Sequence, residues 1–149
     1  MELIKVLLVD DHTIVRKGLC SLLEEEDDIT VVGEAEDGHE AIQKISESEA
    51  DVIVMDIGMP SLNGLEVLKL LKKENPNIRV LILTMHDNEE YIVEALKSGA
   101  CGYLVKKSAP RELTAAIRVA NQGETYLNPS ISTKVVNRFI RQPSDGAGE

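Results

Sequence analysis

Residues 3–25 read LIKVLLVDDHTIVRKGLCSLLEE, and a change of period inside this stretch decides the fold. Residues 3–9 are almost continuously apolar, the pattern of a strand buried on both faces. Residues 13–25 then carry Ile14, Val15, Leu19, Leu22 and Leu23 at helical spacing. Asp10 and Asp11 fall between the two, at the strand's C-terminal end. Gly18 interrupts the helix at a cost of about 1 kcal/mol relative to alanine, so a close packing contact is expected there.

The same strand-then-helix unit recurs. Strands are predicted over 29–34, 51–55, 79–83 and 102–105. Helices are predicted over 40–46, 63–74, 88–97 and 111–121. Ala41, Ile42 and Ile45 face inward in the second helix, and Asn75-Pro76 stops the third. Asp87 or Asn88 caps the fourth, with Gly99 near its end. Five strands alternating with five helices imply an α/β doubly wound parallel five-stranded sheet. All strand C-termini of such a sheet open on one edge. Asp10, Asp11, Asp56, Thr84 and Lys106 each follow or end a strand, so they can converge there. Such a set can bind a hard divalent cation, hold a phosphoryl group and neutralise its charge.

The last thirty residues have a different character. Asn128-Pro129 is a good helix start, and Ile131, Val135, Val136, Phe139 and Ile140 form an apolar stripe after it. This helix either packs on its own domain or connects to a partner subunit or following domain. Residues 143–149, PSDGAGE, read as a flexible tail. The expected division is a domain over 1–122 and a linker helix with tail over 123–149.

A length of 149 residues suits one domain with a real core. The net charge of −10 opposes direct binding of nucleic acid by this chain. Cys20 and Cys101 fall in apolar contexts, which favours two buried thiols over a disulfide and fits a reducing cytoplasm. No secretory signal is read at Met1, and no apolar run approaches the roughly 20 residues that span a bilayer.

Four strings, LLVDDHTIVRKGL, VIVMDIGMPSLNGLEVL, VLILTMHDNEEYI and GACGYLVKKSAPREL, occur in this order. Together they resemble the receiver domain of bacterial two-component response regulators, NarL/LuxR type, from about Lys5 to Gln142. The resemblance implies a flavodoxin-like (βα)5 fold with an extra C-terminal helix. It implies Asp56 as phosphoacceptor, and Mg²⁺ (or Mn²⁺) held by Asp10, Asp11, Asp56 and the Gly58 carbonyl. Thr84 and Lys106 would bind the phosphoryl group, and Tyr103 would report the state by its inward or outward rotamer. Gly58 and His86 would tune dephosphorylation by lining the path of attacking water. Lys107 stands where many relatives carry an acidic residue or proline. The implied partners are a sensor histidine kinase, a second copy through the receiver faces at Gly18 or at Ala115, Ala116 and Ala120, and DNA through a helix-turn-helix domain beyond this chain. The ending within a linker-like tail suggests a truncated transcription factor; a stand-alone receiver acting by protein–protein interaction is the alternative. The expected role is that of a phosphoacceptor rather than an enzyme.

Taken singly, the residues have ordinary readings. Asp10 or Asp11 alone is a helix cap, Lys106 alone a surface charge, Thr84 and Tyr103 alone strand residues. His12 is expected in a solvated first turn, His39 at the surface, and the Ala115, Ala116 and Ala120 set is equally explained by core packing. An aspartyl-phosphate hydrolase would need a D-x-D on the first strand, where the chain has Asp10-Asp11-His12-Thr13. A nucleotide-binding module would need a glycine-rich loop there.

Overall fold

The computed structural model describes residues 2–59, 63–85 and 88–141. Strands β1 (Ile4–Val9), β2 (Ile29–Ala35), β3 (Val52–Asp56), β4 (Val80–Thr84) and β5 (Gly102–Val105) form the expected sheet. They alternate with helices α1 (Thr13–Glu24), α2 (Gly38–Glu47), α3 (Gly64–Glu74), α4 (Glu89–Lys97) and α5 (Ala109–Asn121). Asn63 starts α3 with a reciprocal capping box to Glu66. Asn88 caps α4 by accepting from the amides of Glu90 and Tyr91. A 3-10 turn, Lys106–Ser108, joins β5 to α5.

All strands run parallel in the order β2-β1-β3-β4-β5, and a short β6 (Tyr126–Leu127) adds to the β5 edge. This sixth strand carries no sequence signal of its own, being two residues long. Gly102 makes room for it: a Cβ there would lie 2.8 Å from the Tyr126 carbonyl oxygen. The Tyr126 amide donates to the Cys101 carbonyl at 2.8 Å. Helix α6 (Pro129–Arg141) follows and lies against α4.

Alternate residues of the central strands feed two core halves. Leu7, Val9, Ile53, Met55, Ile82 and Tyr103 pack under α2, α3 and α4. Val6, Leu8, Val54, Leu81, Leu83 and Leu104 pack under α1 and α5. The latter half takes Ala116 and Ala120, both fully buried, so these alanines serve the core and only Ala115 of that set is exposed.

Helix α1 is turned differently from expectation. Ile14 is 88% exposed and Val15 38%, while Arg16, Leu19 and Leu23 face the sheet. The spacing of these three is also helical, and Arg16 brings ionic and hydrogen bonds that an apolar residue could not make. Gly18 is exposed, and a Cβ there would meet nothing within 4 Å among the described residues, so the expected close contact is not found. In α6 only Ile131 is buried and Val135 packs partly against the core; Val136, Phe139 and Ile140 are exposed. Cys20 and Cys101 are half-buried free thiols rather than fully buried ones. Burial, followed by the nearby Glu24 and Glu34 carboxylates, pushes the Cys20 thiol up. No described helix is long and apolar enough to cross a membrane.

Candidate functional site

Strand β1 is the point where the sheet order reverses, with β2 on one side and β3 on the other. Crevices beyond strand ends form at such a point. Asp10 follows β1 there, and its backbone is clamped from two sides. Its amide donates to the Ala35 carbonyl at 3.0 Å. Its carbonyl accepts from Nη1 of the buried Arg16 at 2.6 Å. Arg16 in turn donates through Nε to Glu34 at 2.9 Å. Burial raises the Glu34 carboxyl, but hydrogen bonds from Arg16 and Lys17 outweigh it and hold the group below its ordinary value. Arg16 is a positioning residue the sequence reading missed. Its signal was a cation one helical turn before Leu19 and two before Leu23.

Asp56 closes β3 beside Asp10. Its Oδ1 accepts the Gly58 amide at 3.0 Å. The chain then folds back over it: a Cβ on Gly64 would lie 2.5 Å from the Asp56 carbonyl oxygen and 2.7 Å from the Ile57 Cα. Only glycine permits that approach, which gives Gly64 a role in shaping the Asp56 loop.

Lys106 follows β5 and crosses to both acids. Its Nζ donates to Asp10 Oδ1 and to Asp56 Oδ2, each at 3.0 Å. The side chains of all three are at most 5% exposed. The same Nζ donates to His12 Nδ1 at 2.8 Å, so His12 joins the site rather than standing apart in a solvated turn. Asp10 also accepts the His12 amide at 2.9 Å. Asp11 is 30% exposed, with its Oδ1 3.5 Å from His12 Nδ1.

Thr84, 1% exposed, ends β4 and joins Asp56, Gly58, His12 and Tyr91 around a cleft of about 350 Å³. A wider groove of about 600 Å³ near Lys5, Lys44 and Glu49 contains none of these groups. Tyr103 lies in the middle of β5, fully buried in the same core half as Ile92 and Ala95. Its ring is inward. His39 is exposed as expected, and His86 lies outside the described residues.

The donor set suits a hard divalent cation. One ligand atom from each of Asp10, Asp11, His12 and Asp56 lies within 4.8 Å of the others. Asp11 Oδ1 is buried and accepts no hydrogen bond among the described residues, while Asp10 Oδ2, also buried, faces the Lys106 ammonium at 2.9 Å. Buried oxygens of that kind need a partner, and several carboxylate oxygens at one point are what Mg²⁺ takes. The acidic pocket is of the kind receiver domains use for Mg²⁺.

The response regulator receiver domain model matches residues 6–118. Oxygen regulatory protein NreC of Staphylococcus epidermidis is 42% identical over 139 residues, 93% of this chain and 64% of that protein. The chain thus spans just under two thirds of that relative's length. A LuxR-family two-component response regulator from Aurantimonas sp. SI85-9A1 superposes with a TM-score of 0.88 at 34% identity, covering 93% of this chain and 99% of that one. RcsB from Salmonella typhimurium, in a structure described for its DNA interaction, superposes at 0.84 with 29% identity, covering 91% of this chain and 68% of that one. The strand order, the acidic crevice and these likenesses agree: the chain belongs to the response regulator receiver domain family and is of the NarL/LuxR type.

Proposed function

We propose that Asp56 accepts a phosphoryl group from a sensor histidine kinase or a small phosphodonor, and that the receiver thereby changes state. The observation that carries this reading is the buried Lys106 bridge between Asp10 and Asp56, with Asp56 lining one cleft together with Thr84. Asp10, Asp11, Asp56 and the Gly58 carbonyl would hold the divalent cation, Mg²⁺ or Mn²⁺. When bound, it offsets the repulsion between an anionic nucleophile and an anionic donor.

A carboxylate oxygen of Asp56 attacks phosphorus and the donor's leaving group departs with its electron pair, giving an acyl phosphate. The Gly58 amide fixes the orientation of the Asp56 carboxylate. Lys106, a point charge on a flexible stem, can follow the negative charge from the carboxylates to a phosphoryl oxygen. The Thr84 hydroxyl supplies a further donor. Thr84 moving toward that group would alter packing around the inward Tyr103, and so the face built from α4 and β5. This is a two-state equilibrium biased by a new charge. Residues 1–122 would carry the phosphoryl chemistry and 123–149 the connection onward. The output we propose is transcriptional, through a helix-turn-helix domain outside this chain, with a receiver homodimer as an intermediate step. RcsB's description as interacting with DNA supports it.

The test is incubation with Mg²⁺ and acetyl phosphate, followed by intact mass. Wild type should gain one phosphoryl group. Asp56→Asn, and wild type in EDTA, should gain none. A gain that persists in Asp56→Asn would move the acceptor elsewhere and overturn the assignment.

A further inference from the structure

His12 is a residue of this site whose side chain helix capping does not explain. It occupies the N-cap of α1, yet its imidazole makes no capping hydrogen bond. Its ring is 52% exposed, while Nδ1 points inward at the carboxylates. Lysine has only donors, so the 2.8 Å contact with Lys106 Nζ makes Nδ1 the acceptor. Its lone pair is therefore aimed into the crevice and the ring proton lies on Nε2.

The Lys106 ammonium marks where a cation sits. It lies 2.8 Å from His12 Nδ1, 3.0 Å from Asp56 Oδ2 and 2.9 Å from Asp10 Oδ2. Nδ1 also lies 3.2 Å from Asp10 Oδ1 and 3.9 Å from Asp56 Oδ2. Acceptors crowd together in this way only around a shared positive charge. Three of the four residues grouped as candidate metal ligands, Asp10, His12 and Asp56, contact the ammonium.

We infer that His12 Nδ1 is a nitrogen ligand of the cation site, and that it shifts the site's preference from Mg²⁺ toward Mn²⁺ and Co²⁺. The inference rests on reading Asp10, Asp11 and Asp56 as a cation site. Imidazole nitrogen favours later first-row ions, whereas Mg²⁺ selects oxygen. A crevice with three carboxylates and one imidazole therefore discriminates among divalent ions differently from an all-oxygen one. The ion and the Lys106 ammonium compete for Asp10, His12 and Asp56, so metal entry also frees the lysine for another anion.

The experiment is metal binding by the full chain, with no phosphodonor present. Calorimetry with Mg²⁺, Mn²⁺ and Co²⁺ is run on wild type, His12→Ala and Asp10→Asn, and pulsed EPR on the Mn²⁺ complexes. Wild type should show nitrogen-14 modulation on Mn²⁺, and His12→Ala should lose it. Affinity for Mn²⁺ and Co²⁺ should fall about tenfold in His12→Ala, with Mg²⁺ changed by less than about twofold. Absence of the nitrogen signal in wild type, or equal weakening for all three ions, overturns the role of His12. Binding by wild type that survives Asp10→Asn overturns the cation site itself, and the two failures are thereby distinguished. Circular dichroism of each variant establishes that the fold is kept.

Discussion

At the ends of β1 and β3 the chain is held by buried charge; the core behind β5 and under α6 is held by apolar contact and backbone fit. Charge stays at the margin of that core, where Tyr126 and Asn128 donate to Glu112 at 2.7 and 3.2 Å and Arg141 pairs with Glu89. The first region concentrates Asp10, Asp56 and Lys106, all nearly inaccessible, on hydrogen bonds of 3.0 Å. The second relies on Tyr103, Ile92, Ala95 and Ile131, packed without a charge among them. A charged cluster exchanges one cation for another and so responds to chemistry. An apolar cluster responds only when its shape changes. The two regions of one small domain thus differ in what can perturb them.

The strongest way to break that contrast is Lys106→Met. It leaves two buried carboxylates facing each other without their counter-charge. Removing one partner of a buried pair costs about 3–5 kcal/mol, and the expected loss in EDTA is at the low end because Asp11 and His12 keep the crevice partly wet. Mg²⁺ should restore part of the loss, since an ion that binds only the folded state stabilises it. Urea unfolding with and without Mg²⁺ measures both. A variant as stable as wild type in EDTA would mean that the acids carry no mutual strain.

Two glycines sharpen the comparison at a smaller scale. In Gly64→Ala the new Cβ meets backbone of Asp56 and Ile57 at 2.5 and 2.7 Å, atoms that cannot turn aside. In Gly102→Ala it meets a Leu81 methyl at 2.6 Å and the Tyr126 carbonyl at 2.8 Å. Overpacking of this kind costs roughly 1–3 kcal/mol, with Gly64 toward the upper end. The functional outcomes should separate. Gly64→Ala should slow phosphorylation of Asp56, read by intact mass over time. Gly102→Ala should leave that rate nearly unchanged and speed amide exchange at Tyr126, whose hydrogen bond to Cys101 it strains. Equal slowing by both would show that the two regions are not independently held.

These same residues show how far the sequence could be read. The five strand–helix units were legible because period 2 and period 3.6 differ within a few residues, and the acids were legible because strand ends share an edge. The facing of α1 was not. Ile14 and Val15 offered an apolar stripe as good as the one used, and the choice fell to Arg16, whose partners Asp10 and Glu34 are distant in sequence. Strand β6 was not legible because two residues carry no period. Gly64 and Gly102 earned no structural meaning until the backbone approaching each was known. His12 was seen beside the acids, but only the fold brings Lys106 within 2.8 Å of its Nδ1.

The smallest effect belongs to the far end of α6. Arg141 Nη2 pairs with Glu89 Oε2 of α4 at 3.0 Å, but the arginine side chain is 63% exposed. Such a pair contributes at most about 1 kcal/mol and is screened by salt. The helix is anchored at its other end by Ile131, 1% exposed in the core half that holds Tyr103. Arg141→Ala should therefore leave global stability within about 0.5 kcal/mol while speeding amide exchange in the last turn of α6. The difference from wild type should shrink at high salt, where the pair is already weak. Faster exchange throughout α6, including the turn around Ile131, would mean that the ion pair and not the apolar anchor holds the helix on α4. Charge would then govern the α4–α6 flank as it governs the site, and the contrast between the two regions would fail at its weakest contact.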